Sequence, residues 1–248
     1  MRLAPLALAA GLLAAPAAAL DLTDMTEAER EAFRAEVRAY LLDNPEVLME
    51  AIGVLEQREA ETAAEADRQL ASIHRGALME DGHSWTGGNP EGDITIVEFV
   101  DYRCGYCRRA HPEVAELVES DGNIRYVIKE FPILGEQSLM ASRFAIATRA
   151  VAGDDAYKQV SDALITMRAD VTPDSLERLG QTLGLDTDAI LVEMDSEDTT
   201  RVLELNHALA QQMQISGTPT FVFNDMMLRG YAPLPVMQGM VDDLRSEG

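Results

Sequence analysis

Two cysteines with two residues between them, Cys104 and Cys107, closely follow a run of apolar and β-branched residues (ITIVEFV, 94–100). They are the only cysteines in the chain of 248 residues. This count excludes a scaffold held by several disulfides and a zinc site of four cysteines. The run predicts a strand buried on both faces, and a helical pattern begins near Cys104. The chain must therefore place a dithiol where a buried strand passes into a helix.

The elements expected around the dithiol alternate between strands and helices. Further strands are expected at 123–131, 215–224 and 226–229, helical patterns at about 136–214 with breaks at Gly153-Asp154, Thr172-Pro173 and Gly184, and a final helix at 233–245. Residues 82–92, rich in Gly, Pro and Asn, are expected to be a loop. This order predicts an α/β fold with an inserted helical block.

The first nineteen residues are predicted to be a secretory signal peptide. Arg2 precedes an apolar run from Leu3 to Ala15, and Ala17-Ala18-Ala19 provides the small residues of a site cleaved after Ala19. The run is shorter than the about 20 residues of a bilayer span, which disfavours an uncleaved membrane anchor. The mature protein is therefore expected in the oxidising periplasm.

The charge of the chain excludes one class of partner. With 20 basic and 43 acidic residues, the net charge is −23. Binding to nucleic acid requires clustered Lys and Arg that neutralise phosphates, so no nucleic-acid partner is expected.

Residues 20–80 are predicted to form a helical extension ahead of a catalytic domain at 81–248. The pattern Thr26-x-x-Glu29 is typical of a helix start. Two apolar helical faces follow, Phe33, Val37, Tyr40 and Leu41 and then Val47, Leu48, Ala51, Ile52 and Leu55, on either side of a helix restart at Asn44-Pro45. An Ala- and Glu-rich connector comes next, and burial of the two faces favours a homodimer or homotrimer. Docking of the faces onto the catalytic domain is the alternative.

Cys104 and Cys107 are the candidate redox centre. Cys104 is expected at a helix N-terminus, where unpaired N–H groups and the helix dipole stabilise a thiolate. Three flanking arginines, Arg103, Arg108 and Arg109, are expected to lower the pKa of Cys104 further. Cys104 is thus predicted to be the nucleophile, and Cys107 the resolving thiol, of a redox-active Cys104–Cys107 disulfide.

Two other uses of these cysteines are open. A purely structural disulfide would close a loop of about four residues, which stabilises a fold by only about 2 kcal/mol. A Cu(I) site is the other, because Cys104, Cys107 and His111 share one helical face and Cu(I) accepts soft ligands. No other metal and no cofactor is expected.

Two further positions are candidates for the site. Glu98 lies in the apolar strand before the dithiol, where burial would raise its pKa and let it exchange protons with Cys107. A strand-end glutamate facing solvent is the alternative. Thr218-Pro219 precedes the strand TFVF, and a cis bond there would leave the Thr218 backbone free to bind an extended substrate.

The segments IVEFVDYRCGYC and SGTPTFVFN, with a helical insertion between them, resemble the DsbA-like thiol–disulfide oxidoreductases of the thioredoxin fold. The resemblance implies that Cys104 attacks, Cys107 resolves, Glu98 assists proton transfer and Pro219 lies in a cis-proline loop facing the site. The dipeptide Gly105-Tyr106 differs from the Pro-His of strongly oxidising members and is similar to that of disulfide isomerases. Residues 33–52 are similar to the N-terminal segment of the ScsC and Com-type branch, some of which oligomerise through it.

Three functional interpretations follow. The first is a disulfide isomerase or reductase acting on exported proteins and kept reduced by a membrane reductase. The second is a dithiol oxidase recharged by a quinone-linked membrane partner; it uses the same residues at a different redox poise. The third is a copper-binding resistance protein. The isomerase or reductase is favoured slightly over the oxidase, and both are favoured over copper binding.

Overall fold

A computed structural model describes residues 24–247. Within that range the chain divides into two compact units, with the division between Glu59 and Ala60. The predicted signal peptide and its cleavage site after Ala19 lie outside the described residues. None of the helices formed by residues 24–247 has the length and apolar character needed to cross a bilayer. The predicted domain boundary at residue 80 stays a prediction.

The first unit contains α1 (Glu27–Asp43) and the beginning of α2 (Glu46–Ile73). The predicted capping box is confirmed, since the Thr26 hydroxyl accepts from the Glu29 N–H and the Glu29 carboxylate accepts from the Thr26 N–H. The predicted helix restart at Asn44-Pro45 is confirmed, since α1 ends at Asp43 and α2 begins at Glu46, but Asn44 caps the first helix and does not begin the second. Its side-chain amide donates to the Tyr40 carbonyl at 2.8 Å, so Asn44 ends α1 instead.

The second unit is built on a five-stranded sheet in the order β1-β3-β2-β4-β5. Its elements are the end of α2, α3 (Arg75–Met79), β1 (Trp85–Gly88), β2 (Ile94–Val100), α4 (Gly105–Asp121), β3 (Ile124–Glu130), α5 (Glu136–Thr166), α6 (Pro173–Thr182), α7 (Thr187–Glu193), α8 (Glu197–Gln212), β4 (Thr220–Phe223), β5 (Met226–Arg229) and α9 (Leu234–Glu247). β2 and β3 are parallel, and the other neighbouring strands are antiparallel. The predicted α/β order with its helical insertion is confirmed. The predicted break at Gly153 is a non-helical residue inside α5 (φ 86°, ψ −176°).

Strand β1 lies where a loop was predicted, so that prediction is wrong. Trp85 pairs with Ile128 at the edge of the sheet, and its indole N–H donates to the Asp154 carbonyl at 3.1 Å. Gly88 has φ 69°, and a Cβ there would come within 2.3 Å of the Ile124 carbonyl oxygen. A four-residue edge strand rich in glycine has no periodicity of its own. It forms because β3 offers an open edge.

The core lies on both faces of the sheet, and every residue of β2 is buried. Alternate residues of β2 point to opposite faces. Ile96 and Val100 pack with α4, α5 and α9 on one face, and Val97 and Phe99 pack with α3 and α8 on the other. Because Glu98 alternates with Val97 and Phe99, it points to the face that carries α4 and the dithiol.

Candidate active site

Cys104 occupies the N-cap of α4, as predicted. Its backbone is extended (φ −73°, ψ 121°), and its Sγ accepts from the Cys107 N–H at 3.4 Å. Both cysteines are buried free thiols. The first turn of the helix therefore directs an N–H group at the sulfur of Cys104, while Cys107 lies one turn further in.

The two thiols have opposite pKa shifts. A hydrogen bond from the Cys107 thiol, followed by others from Thr218 and the N–H groups of Cys107 and Tyr106, lowers the pKa of Cys104 to about 5 against the opposing effect of burial. The same bond to Cys104, burial and the charge of Glu98 raise the pKa of Cys107 well above that of a free thiol. At pH 7 Cys104 is a thiolate and Cys107 retains its proton, which is the division expected of nucleophile and resolving thiol.

The three flanking arginines were predicted to lower the pKa of Cys104, but their guanidinium groups bind elsewhere. Arg103 donates to the Ala169 carbonyl at 3.0 Å, and Arg108 donates to carbonyls at the C-terminal end of α5 at 2.9 and 3.2 Å. The guanidinium of Arg109 lies 4.5 Å from the centre of the Tyr231 ring. Carbonyls at the end of a helix and an aromatic face attract these cations. The thiolate of Cys104 is instead stabilised by hydrogen bonds at the start of α4.

Glu98 is buried behind the dithiol, with 3% of its surface exposed. The alternative of a solvent-facing glutamate is therefore wrong. Burial raises the pKa of Glu98 to about 7, the hydrogen bond from the Tyr126 hydroxyl and the charge of His111 oppose the rise, and the charge of Cys104 adds to it. Glu98 and Cys107 are both buried on the face of the sheet that carries α4, and the charge of Glu98 raises the pKa of Cys107. Its proton exchange with Cys107 stays a prediction.

Substituting Glu98→Gln is expected to stabilise the second unit at alkaline pH while slowing thiol exchange. The folded pKa of about 7 exceeds the unfolded value of about 4.3, so ionisation favours the unfolded chain increasingly as pH rises between the two. The stability advantage of the variant should grow by roughly 2–3 kcal/mol between pH 5 and pH 8. Urea unfolding followed by the fluorescence of Trp85, the single tryptophan, measures it. Glu119→Gln, at an exposed site, should show no such growth; equal growth in both variants contradicts the interpretation.

The Thr218-Pro219 bond is cis, as predicted. Cys104 Sγ lies 3.2 Å from the Thr218 carbonyl oxygen, to which it donates when Cys104 is a protonated thiol. β4 begins at Thr220, which pairs with Phe99 of β2, so the sheet itself brings this loop beside the dithiol. The backbone proposed to bind substrate thus lies against the nucleophile.

The three residues proposed to bind copper do not form a ligand site in the described part of the chain. The His111 ring is paired with Asp162, with Nε2 at 3.1 Å from the carboxylate. Within the described part of the chain, no three or more His, Cys, Asp or Glu side chains come together in a group able to hold a metal ion. Cys104, Cys107 and His111 therefore share a helix without forming a ligand set.

Asp101 is a site residue that the sequence reasoning missed. Its buried carboxylate accepts from the N–H groups of Arg103, Ile133 and Leu134 and from the Ser138 hydroxyl, at 2.8–3.0 Å. These bonds fix the loop that carries Cys104 against the segment after β3. An aspartate directly after a fully buried strand was the available signal, because such a carboxylate needs several donors.

A stacked pair of tyrosines lies at the outer edge of the site. Tyr106 of the dipeptide is 62% exposed, and its ring centre lies 6.4 Å from that of Tyr231. The Tyr231 hydroxyl donates to Glu113 at 2.6 Å. The pair presents an aromatic surface to solvent close to Cys104.

Comparison with known proteins identifies the second unit. The family model described as thioredoxin matches residues 80–243. The chain belongs to this thioredoxin family. A second family model, the copper resistance protein ScsC N-terminal domain, matches residues 29–61. The resemblance predicted from the sequence is confirmed for both segments.

Solved structures support the same family. A thioredoxin-like oxidoreductase from Silicibacter pomeroyi DSS-3 is 39% identical, covers 69% of this chain and 98% of its own, and has a TM-score of 0.65. Proteus mirabilis ScsC in a transitional conformation is 26% identical, covers 90% of this chain and 100% of its own, and has a TM-score of 0.66. The Na(+)/H(+) antiporter NhaA 3 of Salinispora tropica is 33% identical over 138 residues, 55% of this chain and 21% of that protein. The chain thus spans about a fifth of the length of this curated relative.

Proposed function

We propose that the protein is a periplasmic thiol–disulfide oxidoreductase that acts on exported protein substrates as an isomerase or reductase. The opposite pKa shifts of Cys104 and Cys107 carry the thiol–disulfide exchange, and the Gly105-Tyr106 dipeptide supports the isomerase or reductase direction. A thiolate at the N-cap of a helix can attack a disulfide at neutral pH, and a protonated neighbour one turn away can later displace the bound substrate.

The chemistry conserves atoms and electrons. The Cys104 thiolate attacks one sulfur of a substrate disulfide, forms a mixed disulfide and releases the other sulfur as a thiolate. Glu98 accepts the proton of Cys107, and Cys107 then attacks Cys104 and releases the second substrate sulfur. Two electrons pass from the enzyme dithiol to the substrate, and a membrane reductase restores them. In an isomerisation, a thiol of the substrate resolves the mixed disulfide. The attack of Cys107 on Cys104 is then not needed, and the enzyme dithiol stays reduced.

An oxidase is the second candidate, and one observation favours it. A stable thiolate stabilises the reduced dithiol and makes the disulfide more oxidising. The Cys104 pKa of about 5 lies between about 7 for thioredoxin and about 3.5 for DsbA. The Gly105-Tyr106 dipeptide supports the isomerase or reductase instead.

The reduction potential of the Cys104–Cys107 pair against glutathione distinguishes these candidates. We expect a value near or below about −180 mV, the range of disulfide isomerase and thioredoxin. A value near about −120 mV supports an oxidase recharged by a quinone-linked partner. Failure of the pair to equilibrate with glutathione overturns thiol exchange altogether.

The first unit is proposed to make the protein a homodimer or homotrimer. Its exposed apolar side chains include Phe33, Val37 and Leu48, and a cavity of about 340 Å³ is bordered by these together with Leu41 and Leu42. Burying each side chain contributes about 1.5–3 kcal/mol, so a second copy would gain by covering the face. The match to the ScsC N-terminal domain covers the same segment.

Light scattering on the mature protein should give the mass of a dimer or trimer. Deleting residues 21–56 should give a monomer because it removes the apolar faces. Combining Val37→Glu with Leu41→Glu should do the same because it places charge on the apolar face of α1. Ala35→Glu with Ala39→Glu adds the same charge to the opposite side of α1 and should leave the mass unchanged. A wild-type monomer at micromolar concentration contradicts the proposal.

A further inference from the structure

A second glutamate is buried on the same side of the sheet as Glu98. Glu130 ends β3 and is 3% exposed. β2 and β3 are parallel, with Glu98 opposite Ile128 and Val100 opposite Glu130. Because side chains alternate along a strand, both carboxyl groups point to the face that carries α4 and the dithiol.

Glu130 is held by tyrosines rather than by a cation. Its Oε1 accepts from the hydroxyls of Tyr102 and Tyr157, each at 2.6 Å. Its Oε2 has no hydrogen bond of ordinary length among the described residues, and the buried Ser142 hydroxyl, the one group that helps the tyrosines to lower the pKa of Glu130, has none either. Tyr102 lies two residues before Cys104, so these contacts connect Glu130 to the loop that carries the nucleophile.

Trp85 joins this group to Glu98. Its ring lies 6.0 Å from the Tyr157 ring and 6.1 Å from the Tyr126 ring, centre to centre. The Tyr126 hydroxyl donates to Glu98. The buried acid network therefore consists of Glu98, Glu130, Tyr102, Tyr126 and Tyr157, with Trp85 packed against two of its tyrosines.

Neither carboxylate of the buried acid network has a Lys or Arg in an ion pair in the described residues. Lys129, the neighbour of Glu130, is paired with Asp81 instead. Apart from the two carboxyls themselves, the charged groups that act on the network are His111 and Cys104 on Glu98 and Asp101 on Glu130. Burial raises the pKa of Glu130 to about 7, the two tyrosine hydroxyls oppose the rise, and Asp101 adds to it.

Glu98 and Glu130 are buried on one face of neighbouring parallel strands, two residues apart in register, and two carboxylates in such a setting oppose each other's ionisation. We propose that Glu130 is a positioning residue for the dithiol reaction, which controls through its own charge whether Glu98 is free to accept the proton of Cys107. This inference rests on the proposed thiol–disulfide function.

The Cys104 thiolate and the Cys107 thiol give two electrons to a substrate disulfide and form their own S–S bond. The Cys107 proton passes to Glu98 and then to the released substrate sulfur, which leaves as a thiol beside a second sulfur that leaves as a thiolate. When Glu130 is ionised, the pKa of Glu98 is higher, so a larger fraction of Glu98 is already protonated at a given pH and fewer molecules can accept the Cys107 proton.

The test measures the pKa of each carboxyl in the full-length reduced protein, from the infrared band of the protonated carboxyl between pH 5 and pH 9. Glu98→Gln and Glu130→Gln assign the two bands. Removing Glu130 should lower the pKa of Glu98 by about one unit or more, a tenfold change in proton affinity. Coupling is reciprocal, so removing Glu98 should lower the pKa of Glu130 by the same amount.

Three further measurements make the test decisive. Glu113→Gln, which removes a carboxylate that accepts from a tyrosine at the same 2.6 Å but outside the network, should leave both pKa values unchanged. If Glu130→Gln does not fold, Tyr157→Phe should raise the pKa of Glu130 by removing one donor. The pH at which glutathione exchange reaches half its plateau should fall in Glu130→Gln along with the pKa of Glu98.

The outcomes separate the two proposals. A Glu98 pKa that is unchanged in Glu130→Gln, in a protein that still exchanges thiols, overturns the role of Glu130. Coupled carboxyl titrations in a protein that does not react with glutathione overturn the proposed function and leave the coupling in place.

Discussion

Cys104→Ser is expected to reduce insulin reduction to the uncatalysed rate, whereas Cys107→Ser should accumulate a mixed disulfide with substrate. Of the two cysteines, only Cys104 has a lowered pKa, about 5. Its sulfur lies at the start of α4 beside the Thr218 carbonyl. Without Cys107 the first adduct forms but has no resolving thiol. The loss in the first variant should therefore be complete, and the second should carry out only the first half of the reaction, which ends at the mixed disulfide.

Non-reducing gels and mass spectrometry of each variant, incubated with a disulfide-containing substrate, measure trapping. The double variant Cys104→Ser with Cys107→Ser is the control and should bind no substrate covalently. Trapping by Cys104→Ser would reverse the assigned roles, because Cys107 would then have to be the nucleophile.

Asp81→Asn is expected to destabilise the second unit by about 3–5 kcal/mol, the effect of leaving a buried charge without its partner. The Lys129 side chain is 0% exposed; its amino group donates to the Ala77 carbonyl at 2.7 Å and forms an ion pair with Asp81. Asp81 also accepts from the Ser84 hydroxyl at 2.7 Å and contacts the His83 ring at the same distance. One carboxylate thus connects the segment before β1 to β3, and its loss leaves Lys129 uncompensated.

Urea unfolding monitored by Trp85 fluorescence measures this effect, because Trp85 is the single tryptophan and lies in the second unit. Asp198→Asn is the matched control: it breaks an exposed pair with Arg201 and should change the free energy of unfolding by about 1 kcal/mol or less. Equal losses in the two variants would contradict the assignment of Asp81 as a buried structural charge.

The pH dependence gives a second check on Asp81. Burial opposes its ionisation, but the hydrogen bond from His83 and the charge of Lys129 hold the pKa of Asp81 well below its usual range. A carboxyl with a depressed folded pKa stabilises the fold above its unfolded pKa of about 3.9 and loses that contribution as pH falls further. The difference between wild type and Asp81→Asn should therefore be constant near neutrality and shrink below about pH 4.

Features set by adjacent residues were predictable. Strand β2 was predicted at its observed bounds, because a continuous β-branched run has one stable setting, a strand buried on both faces. Strand β5 was predicted at its observed bounds as well. The position of Cys104 at a helix N-terminus, the capping box at Thr26 and the cis Thr218-Pro219 bond also follow from short segments. Each depends on backbone preferences and spacing within a few residues.

What only the tertiary structure decided is which groups meet across the sheet. The sequence by itself determined an α/β chain with one dithiol at a helix start and a glutamate on the strand before it. It did not determine that Arg108 turns to the end of α5, that Trp85 forms an edge strand, or that Glu130 shares a face with Glu98. The direction of an arginine side chain, the pairing of an edge strand and the neighbours of a buried carboxylate all depend on residues that are tens of positions apart in the sequence. Their energies depend on burial and neighbouring charge, which exist only once the sheet and helices have packed.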